Sequence, residues 1–433
     1  MSLKQQAISG VKWTTVSTMF LATAQLIKVS VLARFLDKSD FGLMAIVMVV
    51  LGFTNLFVNM GLTSAILHKQ NITKNEYASL YWLNFGFSFL VFVIVWLITP
   101  FIADFYRQPE LNSLIPLMAL TILFTAFGRQ FKVIEQKELN FKFISLVDII
   151  TSVISLAVAI LLAYYGFGVY ALVYSVMVLQ ILSNTAFLVQ GIKRIGIKLH
   201  FVFAETKPFL KIGIYQVGGQ VINYFNRDLD ILIVGKFFGA EILGGYSLAK
   251  QLVFRPAQVF SPILTKVATP VFAKQQNNLT SLQNNYQKLL KFVSSFYFLV
   301  YLGMIVFAKY IVWVLYGKDY LTITLVVQIL SVYMYLRSIA SVSGSLVVAL
   351  GKTNLDFYWN LIAIAVMPLV IIFASHYNIY VLALSLVFVM LLFYVPFWYL
   401  IIYKTIRLDL IKYIKASIPN PMVLWQEYKH IRR

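Results

Sequence analysis

Long apolar runs separated by short polar connections follow one another from end to end of this chain. Twelve runs are long enough to cross about 30 Å of hydrocarbon as helices. They lie at 10–36, 41–67, 78–103, 111–134, 143–166, 168–192, 208–237, 242–272, 286–316, 321–350, 354–376 and 378–403. The pattern changes in the seventh run. Gln216, Gln220, Asn223, Arg227 and Asp230 recur at alternating intervals of four and three, so on a helix they form one polar stripe along an otherwise apolar cylinder. A charge at bilayer depth costs on the order of 2.5–3.5 kcal/mol or more unless it faces protein or water. Arg227, Asp228 and Asp230 together therefore predict a hydrated lumen. The bland alternative is an Arg227/Asp230 pair, at i and i+3, that only locks two helices together.

The pattern also repeats. ARFLDKSDFGLMA (33–45) aligns with GKFFGAEILGGYS (235–247) at an offset of 202, matching Arg34 to Lys236 and Gly42 to Gly244. The same offset lays Thr14, Thr18, Gln25 and Lys28 on Gln216, Gln220, Arg227 and Asp230, and QKELNFKF (136–143) resembles GKTNLDFYW (351–359). The predicted fold is all-α: a polytopic membrane protein of about twelve helices in two six-helix lobes, 1–200 and 201–403, joined by a linker at 195–207. Both lobes start on the same side, so the repeats are parallel, related by an axis along the membrane normal, with a site expected between them. A basic cytoplasmic tail, 404–433, follows. In it, Pro419 and Pro421 are expected to break any helix, and its basic residues suit an anionic lipid surface.

Composition sharpens this picture. The chain has 433 residues, 60% hydrophobic and 12% charged, which removes the soluble globular class. A net charge of +20 does not make a nucleic-acid binder here, because the basic residues sit in the connections. With the N-terminus inside, 25 lysines and arginines fall on inside segments and five on outside connections, a positive-inside signal. The first run is too long for the apolar core of a signal peptide and reads as a retained helix. There is no cysteine, and His68, His200, His376 and His430 show no metal-ligand spacing. No phosphate-cradling loop follows Gly218–Gly219 or Gly244–Gly245, whose expected role is close packing or a joint. Asp228 and Asp230 form a superficial DxD, but inside an apolar helix beside Arg227. Nothing supplies a nucleophile with its base, so no enzyme is predicted.

What remains is a cationic interior. Lys28, Arg227, Lys250, Arg255 and Arg337 lie within runs 1, 7, 8 and 10, and Arg34 ends the first run. Such a set suits a large anionic substrate, since Arg offers a fork to phosphate and Lys a point charge. Taken singly, Lys28 and Arg34 can snorkel to an interface and Arg255 precedes a kink at Pro256. Asp228 and Asp230 are assigned to ion coupling or gating, and Thr14, Thr18, Gln25, Gln216, Gln220 and Asn223 to the polar wall of the cavity.

The segments VLARFLDKSDFGLMAI, NMGLTSAILHK, KNEYASLYWLNFGF, ELNFKFISLVDII, NRDLDILIVGKFFGAEILGGYSLAKQLV and VVALGKTN resemble those of the Wzx-type polysaccharide transporter flippases, especially the colanic and teichuronic acid exporter branch. The resemblance covers about residues 8–403. It implies the fold of the multidrug/oligosaccharidyl-lipid/polysaccharide exporter superfamily, with two six-helix lobes alternating between inward and outward openings. It also implies an undecaprenyl-pyrophosphate-linked oligosaccharide as substrate, moved between leaflets of the bacterial inner membrane for lipopolysaccharide or exopolysaccharide synthesis. Coupling to a proton or sodium gradient and no cofactor are expected, with both termini cytoplasmic. Membrane lipid and the polymerase and chain-length regulator of polysaccharide assembly are the partners implied, and no nucleic acid. Arg34, Asp228, Asp230 and Lys236 match the family's motif, and Lys250 less closely. Tyr215, Tyr224, Phe225, Tyr246, Tyr333, Tyr335 and Trp359 become candidates for stacking on sugar. Where many members continue with another helix pair, this chain carries its basic tail. Two alternatives stay open: an antiporter for drugs or other small molecules on the same fold, which favours an acidic cavity, and a membrane polymerase, which favours a long outside loop.

Overall fold

The computed structural model describes residues 3–59, 66–67, 69 and 71–425. His68, His430 and the centre of the NMGLTSAILHK segment lie outside the described residues, as do the side chains of Tyr215 and Gln216. Among the described residues each apolar run forms helix, because in hydrocarbon a helix satisfies every backbone N–H and C=O within one segment. In order these are α1 (Leu3–Leu32), α2 (Lys38–Asn59), α3 (Lys74–Tyr106), α4 (Leu111–Lys137), α5 (Phe141–Tyr164) and α6 (Val169–Arg194). There follow α7 (Phe203–Lys274), α8 (Leu279–Val306), α9 (Ala308–Tyr316), α10 (Thr324–Ala349), α11 (Thr353–Ser375), α12 (Ile379–Phe397) and α13 (Leu410–Ser417). Eleven helical segments among the described residues are long and apolar enough to span a membrane. The seventh and eighth predicted runs share α7, which is broken at Gly239 (φ 78°, ψ 178°), so the expected twelve crossings come from eleven continuous segments. Those torsions favour glycine, and the break falls in the predicted connection 237–242.

The chain forms two compact units, Met1–Tyr224 with Gly239–Gly244, and Phe225–Phe238 with Gly245–Arg433. In the first, α4 packs on α3 and α6, and α5 on α1 and α6. The repeat is visible here as a reciprocal contact. A Cβ on Gly42 would collide with the Ala240 carbonyl, and one on Gly244 with the Lys38 carbonyl. Applying the offset of 202 turns the pair 38/244 into 240/42 with its partners exchanged, so the two backbones meet through equivalent residues. Gly218 and Gly219, by contrast, face open space.

Residues 195–202 are fastened to α3. Trp82 Nε1 donates to the Lys198 carbonyl (2.9 Å), the Val202 amide donates to Ser79 Oγ (3.0 Å), and Ser79 Oγ donates to Glu205 Oε2 (2.6 Å). His200 Nε2 lies 3.1 Å from both Glu205 oxygens.

In the second unit α10 packs on α8 and α12, and α11 on α12. Beyond α12 the chain passes through a π-helical turn, Trp398–Tyr403, and then reverses at Arg407 (φ 52°, ψ 34°). The tail departs from expectation here. Helix α13 precedes the prolines and buries Tyr413, and Pro421 starts a further helical turn, 422–425, instead of preventing one. At a first helical position proline lacks only an N–H that has no helical partner anyway.

Candidate functional site

The break at Gly239 lets the two arms of α7 face each other. Residues 227–230 lie on the first arm and 246–254 on the second. Tyr246, Lys250 and Phe254 are spaced by four, so they share one face. Tyr246 Oη donates to Asp230 Oδ2 (2.5 Å) and Lys250 Nζ to Asp230 Oδ1 (2.6 Å). Lys250 also donates to the Arg227 carbonyl (2.5 Å) and reaches Asp228 Oδ1 at 3.4 Å. Arg227 closes the cluster through Nε and Nη2, each 2.8 Å from Asp228 Oδ2. Tyr246, Asp230 and Lys250 are buried, and the Arg227 side chain is 53% exposed. Two cations thus meet two carboxylates, and the cluster is neutral.

That arrangement answers the cost of burying charge: a buried pair persists when geometry is good and the remaining lone pairs are hydrogen-bonded. Here both oxygens of Asp230 have donors. The ion pair formed by Arg227 is with its neighbour Asp228, and the bland reading of an Arg227/Asp230 lock gives way to a brace between the two arms. Phe254 extends the site, with Lys250 Nζ 5.5 Å from its ring centroid and the Arg337 guanidinium at 5.7 Å, both within cation–π reach. Arg337, on α10, donates to Tyr333 Oη (2.7 Å). Among the described residues it has no carboxylate within 4.0 Å.

Arg337 also lines a cavity of about 360 Å³ in the second unit, whose wall includes Asn226, Asp356, Asn360, Tyr394 and Tyr413. Asn226 Nδ2 donates to the carbonyl and side-chain oxygen of Asn360, at 3.1 and 3.2 Å, while its own Oδ1 is buried without a partner among the described residues. Among the described residues no three His, Asp or Glu side chains converge as metal ligands.

The other predicted cations lie elsewhere. Lys28, on α1 in the first unit, is 8% exposed and donates to Ser155 Oγ (3.3 Å), which in turn donates to the Ser175 carbonyl (2.7 Å). Arg34 is exposed just beyond α1, and Arg255 is half-buried in the second unit. On α1, Thr14, Thr18 and Gln25 are exposed and Lys28 is buried; on α7, Gln220, Asn223 and Arg227 are exposed and Asp230 is buried. The structure therefore brings Arg227, Asp228, Asp230, Lys250 and Arg337 together in the second unit, where Arg255 follows Phe254; Lys28 and Arg34 belong to the first unit. Sequence reasoning treated Tyr246 as a stacking candidate and overlooked Phe254 and Ser155. The spacing of four from Tyr246 through Lys250 to Phe254 was the available signal for the first two. A lone serine on α5 gives none.

The family model described as "Polysaccharide biosynthesis protein" matches residues 31–325. The lipopolysaccharide biosynthesis protein WzxC of Escherichia coli K12 is 31% identical over 360 residues, 83% of this chain and 73% of that protein. The teichuronic acid biosynthesis protein TuaB of Bacillus subtilis 168 is 28% identical over 361 residues, 83% of this chain and 74% of that one. Among solved structures, the lipid II flippase MurJ in an inward closed conformation superposes with a TM-score of 0.74 at 15% identity, covering 93% of this chain and 89% of that one. An inward-facing multidrug resistance transporter of the MATE family gives 0.68 at 12% identity, covering 89% and 97%. At those identities the structural likeness establishes the fold, and the sequence relatives establish the rest: the chain belongs to the polysaccharide biosynthesis protein family, as a polysaccharide transporter of the Wzx type.

Proposed function

We propose that this protein is a flippase that moves undecaprenyl-pyrophosphate-linked oligosaccharide units across the bacterial inner membrane by alternating access, both termini lying in the cytoplasm. Its membership in a polysaccharide transporter family carries this reading. The chemistry is consistent with it. A pyrophosphate and hydrated sugars need a polar, cationic path, while a polyprenyl tail can remain in lipid. Lys28, Arg255 and Arg337 form no ion pair among the described residues, so their charge remains for an anionic group. Arg227 and Lys250 are the better-compensated pair, and their neutral cluster with Asp228 and Asp230 suits coupling or gating, with protons or sodium ions as the coupled species. The cavity beside Arg337 sets one acidic residue, Asp356, against that arginine, which is not the acidic lining that a carrier of cationic drugs would favour. The polymerase and chain-length regulator of the assembly line are the proposed protein partners.

The test is glycan export in a strain lacking the gene, complemented with wild type, Arg337→Ala or Asp230→Asn at matched protein levels. The expected outcome for the deletion is loss of surface polysaccharide, with intact lipid-linked repeat units accumulating on the cytoplasmic side and export weakened in both variants. Disappearance of the repeat unit itself in the deletion strain would point to an enzyme and overturn the flippase reading.

A further inference from the structure

The segment beyond α12 neither trails into water nor simply ends a span. Gln283 Nε2, near the start of α8, donates to the carbonyls of Ile406 (2.8 Å) and Arg407 (3.3 Å), and there the chain turns back. Tyr413 then packs beside Tyr394, its ring tilted and the centroids 5.1 Å apart, although Tyr394 lies inside the Ile379–Ile406 span. Ser294 Oγ donates to the Ser417 carbonyl (2.5 Å), and Ser295 Oγ accepts from the Asn420 amide (2.8 Å). Between Gln283 and Ser294 the tail travels about 17 Å along α8 at 1.5 Å per residue. The first residues passed, QNNYQKLLK (283–291), are largely polar, and the apolar part of α8 begins at Phe292. The tail therefore returns to the level at which α8 enters hydrocarbon.

It arrives with two faces. Tyr413, Ala416 and Ser417 are buried against the protein. On the outer side Ile411 is 62% exposed and Ile418 56%, with Ile414 between them, followed by exposed Met422 and Trp425. Ile411, Ile414 and Ile418 follow the i, i+3, i+7 pattern of one apolar stripe. Exposed Lys412 and Lys415 flank it, and Lys404 and Arg407 stand at the turn. An apolar stripe edged by lysines, running beside α8 to the boundary of the hydrocarbon, has the composition that engages lipid tails and anionic headgroups there.

We infer that residues 410–425 form a membrane anchor: the stripe from Ile411 to Trp425 docks into the headgroup layer, and Lys412 and Lys415 engage anionic lipid phosphates. The occupant of this face is lipid, and the role holds whatever the protein transports. One consequence is mechanical. The segment ties α8 and α12 to the bilayer surface, and Tyr413 forms part of the cavity wall beside Tyr394, so the anchor holds that wall in place.

The chain has no cysteine, which allows single-cysteine variants of the full-length protein in vesicles. Ile414→Cys, Ile418→Cys and Met422→Cys carry a bimane label. Phe388→Cys, exposed within the last span, and Asn277→Cys, exposed in the connection before α8, are the lipid and water references. With doxyl lipids in phosphatidylglycerol-containing vesicles, the three tail labels are expected to be quenched several-fold more than Asn277→Cys. Lys412→Gln with Lys415→Gln should lower that quenching, as should a change to pure phosphatidylcholine. Quenching no greater than at Asn277→Cys overturns the anchor. Labels shielded from both doxyl lipid and aqueous iodide would place a protein on this face and equally overturn it. Equal quenching in the two lipid compositions overturns the role of the lysines.

Discussion

Lys28 and Asp230 hold the same position in the two halves of an internal repeat, yet the chain has solved their burial in opposite ways. Each ends a stripe whose preceding members, Thr14, Thr18 and Gln25 on α1 and Gln220 and Arg227 on α7, are exposed. Asp230 receives a lysine and a tyrosine and sits in a neutral cluster. Among the described residues Lys28 has Ser155 as its hydrogen-bond partner. A repeat thus conserves where a polar group is placed without conserving its charge or its partners. One half thus neutralises its buried charge with side chains of its own unit, while among the described residues the other meets its buried charge with a hydroxyl.

The widest gap between the halves should appear on removing the ammonium groups. Lys250→Met leaves Asp230 and Asp228 short of a buried counter-charge, a loss worth about 3–5 kcal/mol, and should lower the thermal stability of the detergent-solubilised protein sharply. Adding Asp230→Leu should recover most of that loss, because Arg227 still compensates Asp228 and the coupling between contacting residues is not additive. A double variant no more stable than Lys250→Met alone would mean that the cluster is not a closed ion-pair set.

The glycine contact tests the part of the repeat that has stayed symmetric. Gly42→Ala and Gly244→Ala each drive a methyl into an equivalent backbone carbonyl, and overpacking of this kind costs about 1–3 kcal/mol. The two variants should therefore melt alike. Combining them should cost less than the sum, since one displacement relieves both collisions. A large difference between the single variants would break the equivalence.

These contrasts also mark what the sequence can carry. Span limits, the connection around Gly239, the shared register of Lys28 and Asp230 and the Gly42/Gly244 match all follow from period and offset, which are local properties. Partner choice is not local. Asp230 meets Lys250 only because torsions at Gly239 fold one arm of α7 toward the other, and Lys28 meets Ser155 across 127 residues through helix packing that no spacing encodes. The tail shows the same limit. Its prolines were expected to break any helix and instead one precedes a helical turn, and the return of the chain along α8 depends on Gln283, Ser294 and Ser295, polar residues with no periodic signature.

Lys28→Met sharpens the comparison from the other side. No carboxylate loses its partner, and methionine fills a similar volume, so stability should change by less than about 1 kcal/mol. Export in the deletion strain should nevertheless fall if this cation meets the substrate. Unfolding on the scale of Lys250→Met would show that Lys28 has structural work equal to that of its counterpart and erase the distinction.

The smallest effect is expected at the fastening of residues 195–202, where charge lies outside the spans. Hydrogen bonds from Ser79 and then His200 hold the Glu205 carboxyl below its usual range. A folded-state value below that of the unfolded chain means that the ionised form supports the fold at any pH above the ordinary glutamate value of 4.5. That support is lost as pH falls through the depressed value. Glu205→Gln should mimic the protonated state at neutral pH, giving somewhat faster proteolytic cleavage between 195 and 202 in the solubilised protein, with the variant and wild type converging below the depressed value. Because the group is exposed to solvent screening, the change should stay local and leave the melting of both units untouched. Identical cleavage at neutral pH would assign the fastening to Trp82 and the Ser79–Val202 bond alone, with no part for the Glu205 charge.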